Sequence, residues 1–212
     1  MARYPVSGGG DFQRPTPGMH PAVCTMIADI GYQQAGIYGI KPKVVFQFEL
    51  CDENVEGTEN PLIVYDTLTA SMSQKANLRA MLTGWRGKAF TDEEAGDFDM
   101  KNVLGAYCQL LLVENANGEK VYTNIETVVP WPKGMDKPRP KNPLLFYDPD
   151  HRDVLTKLPE WVQKKIAGAL RPESAAKSRE AMDDAMAAQG GGGTDFNDDI
   201  PFLPRGKRSH WE

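Results

Sequence analysis

The sequence predicts a mainly β domain in which a helical insert separates three strands from two later ones. Apolar and polar residues alternate through residues 43–50, and leucine, methionine and tryptophan recur at helical spacing through residues 78–85. Asn117-Gly118 then joins two apolar runs, as expected for a tight hairpin. The 212 residues suffice for one such domain with additional segments at both ends.

Three strands are predicted before the insert. Residues 22–32 are rich in β-forming side chains, and residues 62–70 are rich in β-branched ones. Residues 43–50 alternate most clearly, and the side chains expected in the core are Val44, Phe46, Phe48 and Leu50. Lys43, Val45 and Gln47 point the other way, so they are expected on an open face of the sheet.

Two helices are predicted in the insert. The first carries its apolar side chains on one face, at i, i+3, i+4 and i+7: Leu78, Met81, Leu82 and Trp85. Ser73 is expected to cap this helix, and Gly84 and Gly87 are expected to end it. Thr91 and Glu94 have the spacing of a capping box, which predicts a second, short helix.

Two more strands and a final helix are predicted after the insert. Residues 107–114 and 120–129 are apolar runs, and residues 115–119 form the turn between them. Residues 130–143 are rich in proline and lysine, so an extended basic segment is expected there. A helix is predicted to begin near Pro159, with apolar side chains that pack on the domain: Trp161, Val162, Ile166 and Ala169.

The order of these elements is that of an OB-fold. That fold is a five-stranded Greek-key barrel with a helix between strands three and four, and its open face and loops bind single-stranded nucleic acid. The same order also suits another small barrel or a strand-rich α+β domain. The prediction is therefore an OB-fold barrel with helical additions, with closure left to the structure.

Composition divides the chain into three segments. Residues 1–21 are rich in glycine and proline and are predicted to be a flexible arm, residues 22–171 form the domain, and residues 172–212 form a linker and an acidic tail. The formal net charge is −5, and acidic residues are concentrated between 172 and 204. Residues 1–171 are therefore close to neutral, which is compatible with a local basic groove.

The tail combines aspartates with apolar anchors after a run of four glycines, Gly190 to Gly193. A purely solubilising tail has no use for such anchors, whereas a docking peptide needs them beside charges that direct it to a basic pocket. The residues predicted to bind a partner protein are Asp195, Phe196, Asp198, Asp199, Ile200, Pro201 and Phe202.

This stretch resembles the acidic tip of bacterial single-stranded DNA-binding proteins, which ends in Asp-Asp-Ile-Pro-Phe and recruits replication and repair enzymes. In that family the phenylalanine is the last residue, whereas here residues 203–212 follow it. Residues 43–50, 91–94 and 122–134 look similar to phage-encoded single-stranded DNA-binding proteins of OB fold. The resemblance implies a protein that binds and protects single-stranded DNA during phage replication, recombination or repair, and that recruits replication or recombination proteins through its tail.

Binding unpaired strands without strong sequence preference requires cations for phosphates and flat rings on which bases stack. Candidates are taken from the second strand, the loop before it and the cationic or aromatic positions nearby. They are Tyr32, Tyr38, Lys41, Lys43, Val45, Gln47, Tyr65, Arg86, Lys88, Tyr122, Trp131 and Lys133. Tyr65 and Tyr122 suit the core equally well, and Trp131 suits an anchor for the end of its strand.

Other functional classes have less support in the sequence. Cys24, Cys51 and Cys108 are odd in number and lie in apolar runs, so buried thiols are expected and neither a disulfide nor a zinc site is. Residues 148–151, Asp-Pro-Asp-His, are the one cluster that suggests a metal-dependent nuclease, but a proline between aspartates is typical of a turn. We expect no enzymatic activity and no cofactor; a protein-binding adaptor or structural protein of OB-like fold is the main alternative.

The cellular setting is predicted from what the sequence lacks. Its apolar runs fall short of the roughly 20 residues that span a bilayer, and its N-terminus has no apolar signal-peptide centre. We therefore expect no membrane partner and a cytoplasmic location, in the host cell if the protein is phage-encoded. Homo-oligomerisation is left open by the sequence.

Overall fold

Residues 13–36, 39–117 and 120–171 are described by the computed structural model of the chain. Over these residues the chain forms six strands: β1 (Gly18–Gln34), β2 (Ile40–Asn54), β3 (Pro61–Thr69), β4 (Tyr107–Asn117), β5 (Lys120–Pro130) and β6 (Leu145–Tyr147). The α-helices are α1 (Asn77–Arg86), α2 (Asp92–Gly96) and α3 (Glu160–Ala167), and short 3₁₀ helices cover Met100–Val103 and Arg152–Lys157.

The strands form one sheet in the order β3-β2-β1-β4-β5, with antiparallel neighbours throughout. The short β6 pairs in parallel with β1, where Ile27 lies opposite Phe146. Within the described part of the chain no ladder joins β3 to β5, and α1 contacts both of these edge strands. The prediction of a mainly β domain with helical additions is therefore confirmed, the sheet is not closed, and β6 is an addition that the sequence pattern did not indicate.

One face of β2 packs in the main core, as predicted. Its side chains Val44, Phe46, Phe48 and Leu50 are buried together with Leu78, Leu82 and Trp85 of α1. The Trp85 ring lies 5.5 Å from that of Phe48, and its indole N–H donates to the carbonyl of Tyr107 at 3.0 Å. Burial of each such apolar side chain stabilises the fold by roughly 1.5–3 kcal/mol, so the packing of these three side chains holds α1 on the sheet.

The opposite face of β2 is also buried, which corrects the prediction of an open binding face there. Val45 has no exposed surface and Gln47 is 8% exposed, so neither is placed to contact DNA. Val45 lies in a second core in which β1 packs against β6, α3 and the segment between them, through Met26, Ala28, Ile30, Leu145, Tyr147, Leu158 and Val162. Gln47 donates to Thr25 Oγ1 at 3.0 Å, which satisfies one donor of its amide.

We call residues 140–167 the covering segment, because they cross the sheet face that the alternating pattern left for solvent. Glu49 on β2 is 4% exposed and accepts hydrogen bonds from the backbone N–H groups of Lys141 and Asn142, each at 2.8 Å. A carboxylate at this depth requires such donors. They hold the start of the covering segment on β2, within the stretch 130–143 for which the sequence predicted only an extended basic segment.

The helices of the insert begin and end differently from one another. α1 begins four residues after the predicted cap Ser73: its N-cap is Ala76, which makes no side-chain cap, and it ends at Gly87 in the left-handed conformation. Gly84 lies inside α1 and does not end it. In α2 the predicted capping box is present, since Glu94 N–H donates to Thr91 Oγ1 and Thr91 N–H donates to the Glu94 carboxylate, both at 3.1 Å.

The domain begins earlier than the sequence predicts. β1 already starts at Gly18, and Arg14 donates to the carbonyl of Val121 at 3.1 Å, so residues 13–21 are part of the fold and not of an arm. The rest of the predicted arm and the predicted linker and tail lie outside the described residues. Among the helices that are described, none has the length and apolar character that crossing a membrane requires.

Candidate nucleic-acid interface

A pocket lined by three lysines lies at the edge of the sheet, where β2 and β3 meet the start of α1. Its volume is about 350 Å³. Lys41 and Lys43 come from β2, and Lys75 comes from the turn before α1. The other lining residues are Ala35, Thr67, Leu68, Thr69, Ser71, Ser73, Ala76 and Asn77. We call this cavity the lysine pocket.

Strand register brings the two β2 lysines together. Side chains two apart on a strand share a face, so Lys41 and Lys43 point to the same side of β2. Lys43 lies opposite Thr69 of β3, and its Nζ donates to Thr69 Oγ1 at 3.0 Å. Lys75 joins them because α1 begins at Asn77, which leaves the preceding residues as a turn beside β3.

The positive charge of the lysine pocket is not neutralised by the described residues. None of the residues that line it is acidic, and its lysines form no ion pair with a described carboxylate. Hydroxyl groups of threonine and serine add further donors. The side chain of Ala76 has no acceptor for the first N–H groups of α1, whose partial positive charge therefore adds to that of the lysines. This combination is suited to an anion such as phosphate.

An aromatic pair lies beside the lysine pocket. The rings of Tyr65 on β3 and Trp161 on α3 meet edge to face with centroids 5.1 Å apart, and both side chains are partly exposed. Tyr65 shares a face of β3 with Thr67, which lines the pocket about 7 Å further along the strand. Flat rings and cations are thus adjacent on one surface. Trp161 was predicted only to pack its helix on the domain, and its distance in sequence from β3 gave no sign of this position.

The first hairpin divides its predicted binding residues between two faces. Gln33 lies opposite Lys41, whereas Tyr32 lies opposite Pro42, so the side chains of Tyr32 and Lys41 point in opposite directions. The carbonyl of Tyr32 also accepts a hydrogen bond from the N–H of Leu170 at 2.9 Å. The structure therefore does not bring Tyr32 into the lysine pocket, and Tyr38 lies outside the described residues.

Arg86 and Lys88 lie at the other end of α1, beside a carboxylate. Arg86 makes two hydrogen bonds with Glu94, at 2.7 and 3.1 Å, and Lys88 Nζ lies 3.9 Å from the same carboxylate. Hydrogen bonds from Arg86 and from the N–H of Thr91 lower the pKa of Glu94 to about 2, so Glu94 stays ionised at neutral pH. Much of the charge of the two cations is therefore balanced, and neither joins the lysine pocket.

The remaining predicted residues lie at β5 and in the turn that follows it. Tyr122 is exposed on β5, and Lys133 is exposed after it. Trp131 is half-buried: its ring meets that of Tyr107 with centroids 5.1 Å apart, and its indole N–H donates to the carbonyl of Met135 at 3.0 Å. Trp131 therefore anchors the chain as it leaves β5.

The Asp-Pro-Asp-His cluster forms a turn. Asp148 Oδ1 accepts hydrogen bonds from the N–H groups of Asp150 and His151, at 2.9 and 2.7 Å, and lies 2.8 Å from the imidazole of His151. Across residues 13–36, 39–117 and 120–171, no three histidine, cysteine or carboxylate groups are placed to hold a metal ion. The thiols of Cys24 and Cys108 are buried as expected, and that of Cys51 is half-buried.

Comparison with known proteins gives no family for this chain. No protein-family model matches the sequence, and no curated protein is significantly similar to it. The predicted docking peptide, residues 195–202, lies outside the described residues, so its role stays a prediction.

Proposed function

We propose that this chain binds single-stranded DNA without strong sequence preference, in the replication, recombination or repair of phage DNA. The observation that supports this most directly is the lysine pocket, whose three lysines are unpaired with described carboxylates, next to the rings of Tyr65 and Trp161. Phosphates of a bound strand lie at the lysines, and bases stack on the exposed parts of the rings. Each stacked base contributes roughly 1–3 kcal/mol whatever its identity, because every base has a π-face.

The proposed fold is an OB-fold variant similar to those of phage single-stranded DNA-binding proteins. The strand order β3-β2-β1-β4-β5, with α1 between β3 and β4 in sequence, is consistent with it. In this proposal α1 occupies the gap between the edge strands β3 and β5. The covering segment then displaces the binding surface from the middle of the sheet to the edge formed by β2 and β3.

This arrangement favours unpaired strands over duplex. Stacking on Tyr65 or Trp161 requires the face of a base, which a duplex hides between its neighbours. The lysine pocket is also confined to one edge of the sheet, which suits the flexible backbone of a single strand. In the cytoplasm of the host cell, the tail residues 195–202 then recruit partner proteins, as their similarity to the bacterial tip implies.

Fluorescence anisotropy with a labelled oligo(dT) of about 20 nucleotides and with a duplex of equal length tests the proposal. The single strand is expected to bind more tightly, with an affinity that falls steeply as salt is added. Absence of binding to either DNA in dilute buffer rejects the proposal and favours the protein-binding adaptor. Cleavage of the DNA after addition of magnesium or manganese favours a nuclease instead.

A further inference from the structure

A second, largely apolar pocket of about 320 Å³ shares a wall with the lysine pocket. Ser71 lines both cavities, so a ligand that occupies one is adjacent to the other. The apolar walls come from β1, β2, β6 and the helical insert and include Met72, Leu78, Phe98, Met100 and Phe146. The volume lies at the lower end of the range for small-molecule sites, roughly 300–1,000 Å³, and suits a single flat ring system. We call this cavity the side pocket.

Three carboxylates that line the side pocket each accept hydrogen bonds from described residues through one oxygen only. Asp29, Asp99 and Asp148 line it. Asp29 Oδ1 accepts a hydrogen bond from the N–H of Gly31, and Asp99 Oδ1 accepts one from the N–H of Lys101, each at 2.8 Å. Asp148 Oδ1 accepts from the N–H groups of Asp150 and His151 at 2.9 and 2.7 Å. No described residue donates to the Oδ2 atom of any of the three. The side pocket therefore offers hydrogen-bond acceptors next to apolar walls, and a ligand that complements it carries N–H donors.

A nucleobase with an exocyclic amino group has this chemistry. Its ring faces are apolar, and cytosine N4, adenine N6 or guanine N2 supplies donors to a carboxylate. Thymine and uracil present a carbonyl oxygen where cytosine has its amino group, so a carboxylate repels them there. Because Ser71 lines both cavities, the side pocket is adjacent to a phosphate held in the lysine pocket.

We propose that the side pocket takes one unstacked base from the strand held by the lysine pocket, and that its carboxylates favour bases with an amino group. This inference rests on the proposed binding of single-stranded DNA. It adds a modest preference at one position to binding that is otherwise insensitive to sequence.

Oligonucleotides of dC and of dU test the preference, because the two bases have rings of the same size and differ at position 4. The wild-type protein is expected to bind the dC strand about fivefold more tightly, the ratio that a single hydrogen bond gives. The double variant Asp29→Asn/Asp99→Asn should lose or invert this ratio. Each asparagine keeps its oxygen on the local N–H and offers an amide donor in place of the second acceptor.

The matched control is Asp150→Asn/Asp153→Asn, which changes the net charge equally at exposed positions that do not line the side pocket. It should raise the affinity for both strands without altering their ratio. Equal affinities of the wild-type protein for dC and dU overturn the inference while leaving the proposed function intact. Failure of every oligonucleotide to bind rejects the proposed function itself.

A peptide of residues 203–211 serves as the competing ligand, since it combines apolar residues with cations. If the wild-type protein binds this peptide, the Asp29→Asn/Asp99→Asn variant does not, and the dC and dU affinities are equal, the side pocket holds a protein segment and the base proposal is wrong. If the peptide does not bind and the dC preference disappears in the variant, the base proposal is supported.

Discussion

Asn142 donates two hydrogen bonds to Glu49, which lies 93 positions earlier in the sequence: one from its backbone N–H at 2.8 Å and one from its side-chain amide at 2.7 Å. A third bond comes from the N–H of Lys141 at 2.8 Å. The carboxylate of Glu49 is buried, so these donors replace the water that it loses on folding. The covering segment is thereby tied to β2 by a polar contact as well as by the apolar contacts of the second core.

Replacing Glu49 by alanine should lower the free energy of unfolding by about 2–4 kcal/mol, because it leaves the N–H donors of Lys141 and Asn142 without their acceptor. Urea unfolding followed by circular dichroism measures the loss. Glu56→Ala is the control, since Glu56 is exposed and its change should stay within about 0.5 kcal/mol of the wild type. Equal stabilities of the two variants would show that Glu49 does not hold the covering segment.

Replacing Gly84 by alanine should destabilise the protein although alanine is the better helix former. A Cβ at this position would lie 2.5 Å from the carbonyl oxygen of Val128 on β5, and neither backbone can move without shifting α1 on the sheet. We expect a net loss of about 1–3 kcal/mol, since the overpacking outweighs a gain in helix propensity of about 1 kcal/mol. Thermal unfolding checks this. Gly96→Ala is the control, because no atom lies within 4 Å of its added Cβ; a Gly84→Ala protein as stable as this control would contradict the packing of α1 on β5.

Removing the charge of the lysine pocket should weaken DNA binding and reduce its salt dependence. For the variant Lys41→Gln/Lys43→Gln/Lys75→Gln we expect the slope of log K against log salt to fall by about 2, since each phosphate contact with a single strand contributes about 0.7. The control variant neutralises three exposed lysines outside the pocket: Lys88, Lys133 and Lys157. If both variants lose affinity equally, DNA binding depends on overall charge and not on the lysine pocket.

Binding of oligo(dT) should quench tryptophan fluorescence through Trp161. The variant Trp161→Phe should lose most of the quenching but bind within a few-fold of the wild type, because phenylalanine keeps a ring for stacking. Trp131→Phe, which alters the ring that packs on Tyr107, should keep the quenching. The opposite result, in which only Trp131→Phe abolishes the quenching, would move the binding surface to the turn after β5.

The ion pair of Glu94 with Arg86 should contribute to acid sensitivity. The folded-state pKa of Glu94 is about 2, below its ordinary value of 4.5, so its contribution to stability is complete above pH 4.5 and is lost as the pH falls towards 2. The pKa values of 4.5 and about 2 set a window between pH 5 and pH 2. Over this window the melting temperature of the Glu94→Gln variant should therefore fall less than that of the wild type. Parallel curves for the two proteins would show that Glu94 is not stabilised in the folded state.

Local patterns predicted the elements whose structure depends on neighbours in sequence. Alternation identified Val44 and Phe46 as core residues, and the spacing of Thr91 and Glu94 identified the start of α2, because a strand face and a capping box each need only a few adjacent residues. The helical spacing that ends in Trp85 likewise identified the face of α1 that packs on the sheet.

The parts that depend on distant contacts were missed. β6 has three residues and forms only by pairing with β1, more than a hundred positions earlier, so no periodicity marks it. The sequence therefore placed Val45 and Gln47 on an open face, although the covering segment packs over that face. The candidate binding surface was predicted in part. Lys41 and Lys43 were predicted from the hairpin. Lys75 and Trp161 were not predicted to bind DNA, and they reach the same surface at the starts of α1 and α3.

β2 is buried on both sides, so burial alone does not distinguish its two possible alignments. If β2 slid by a single residue, Phe46 and Phe48 would leave the main core, and Gln47 and Glu49 would enter it. The polar groups remove that ambiguity, because in a slipped alignment they would lie in the apolar main core, away from Thr25 and Asn142. The hydrogen bonds of these two polar groups thus favour a single alignment of the central strands.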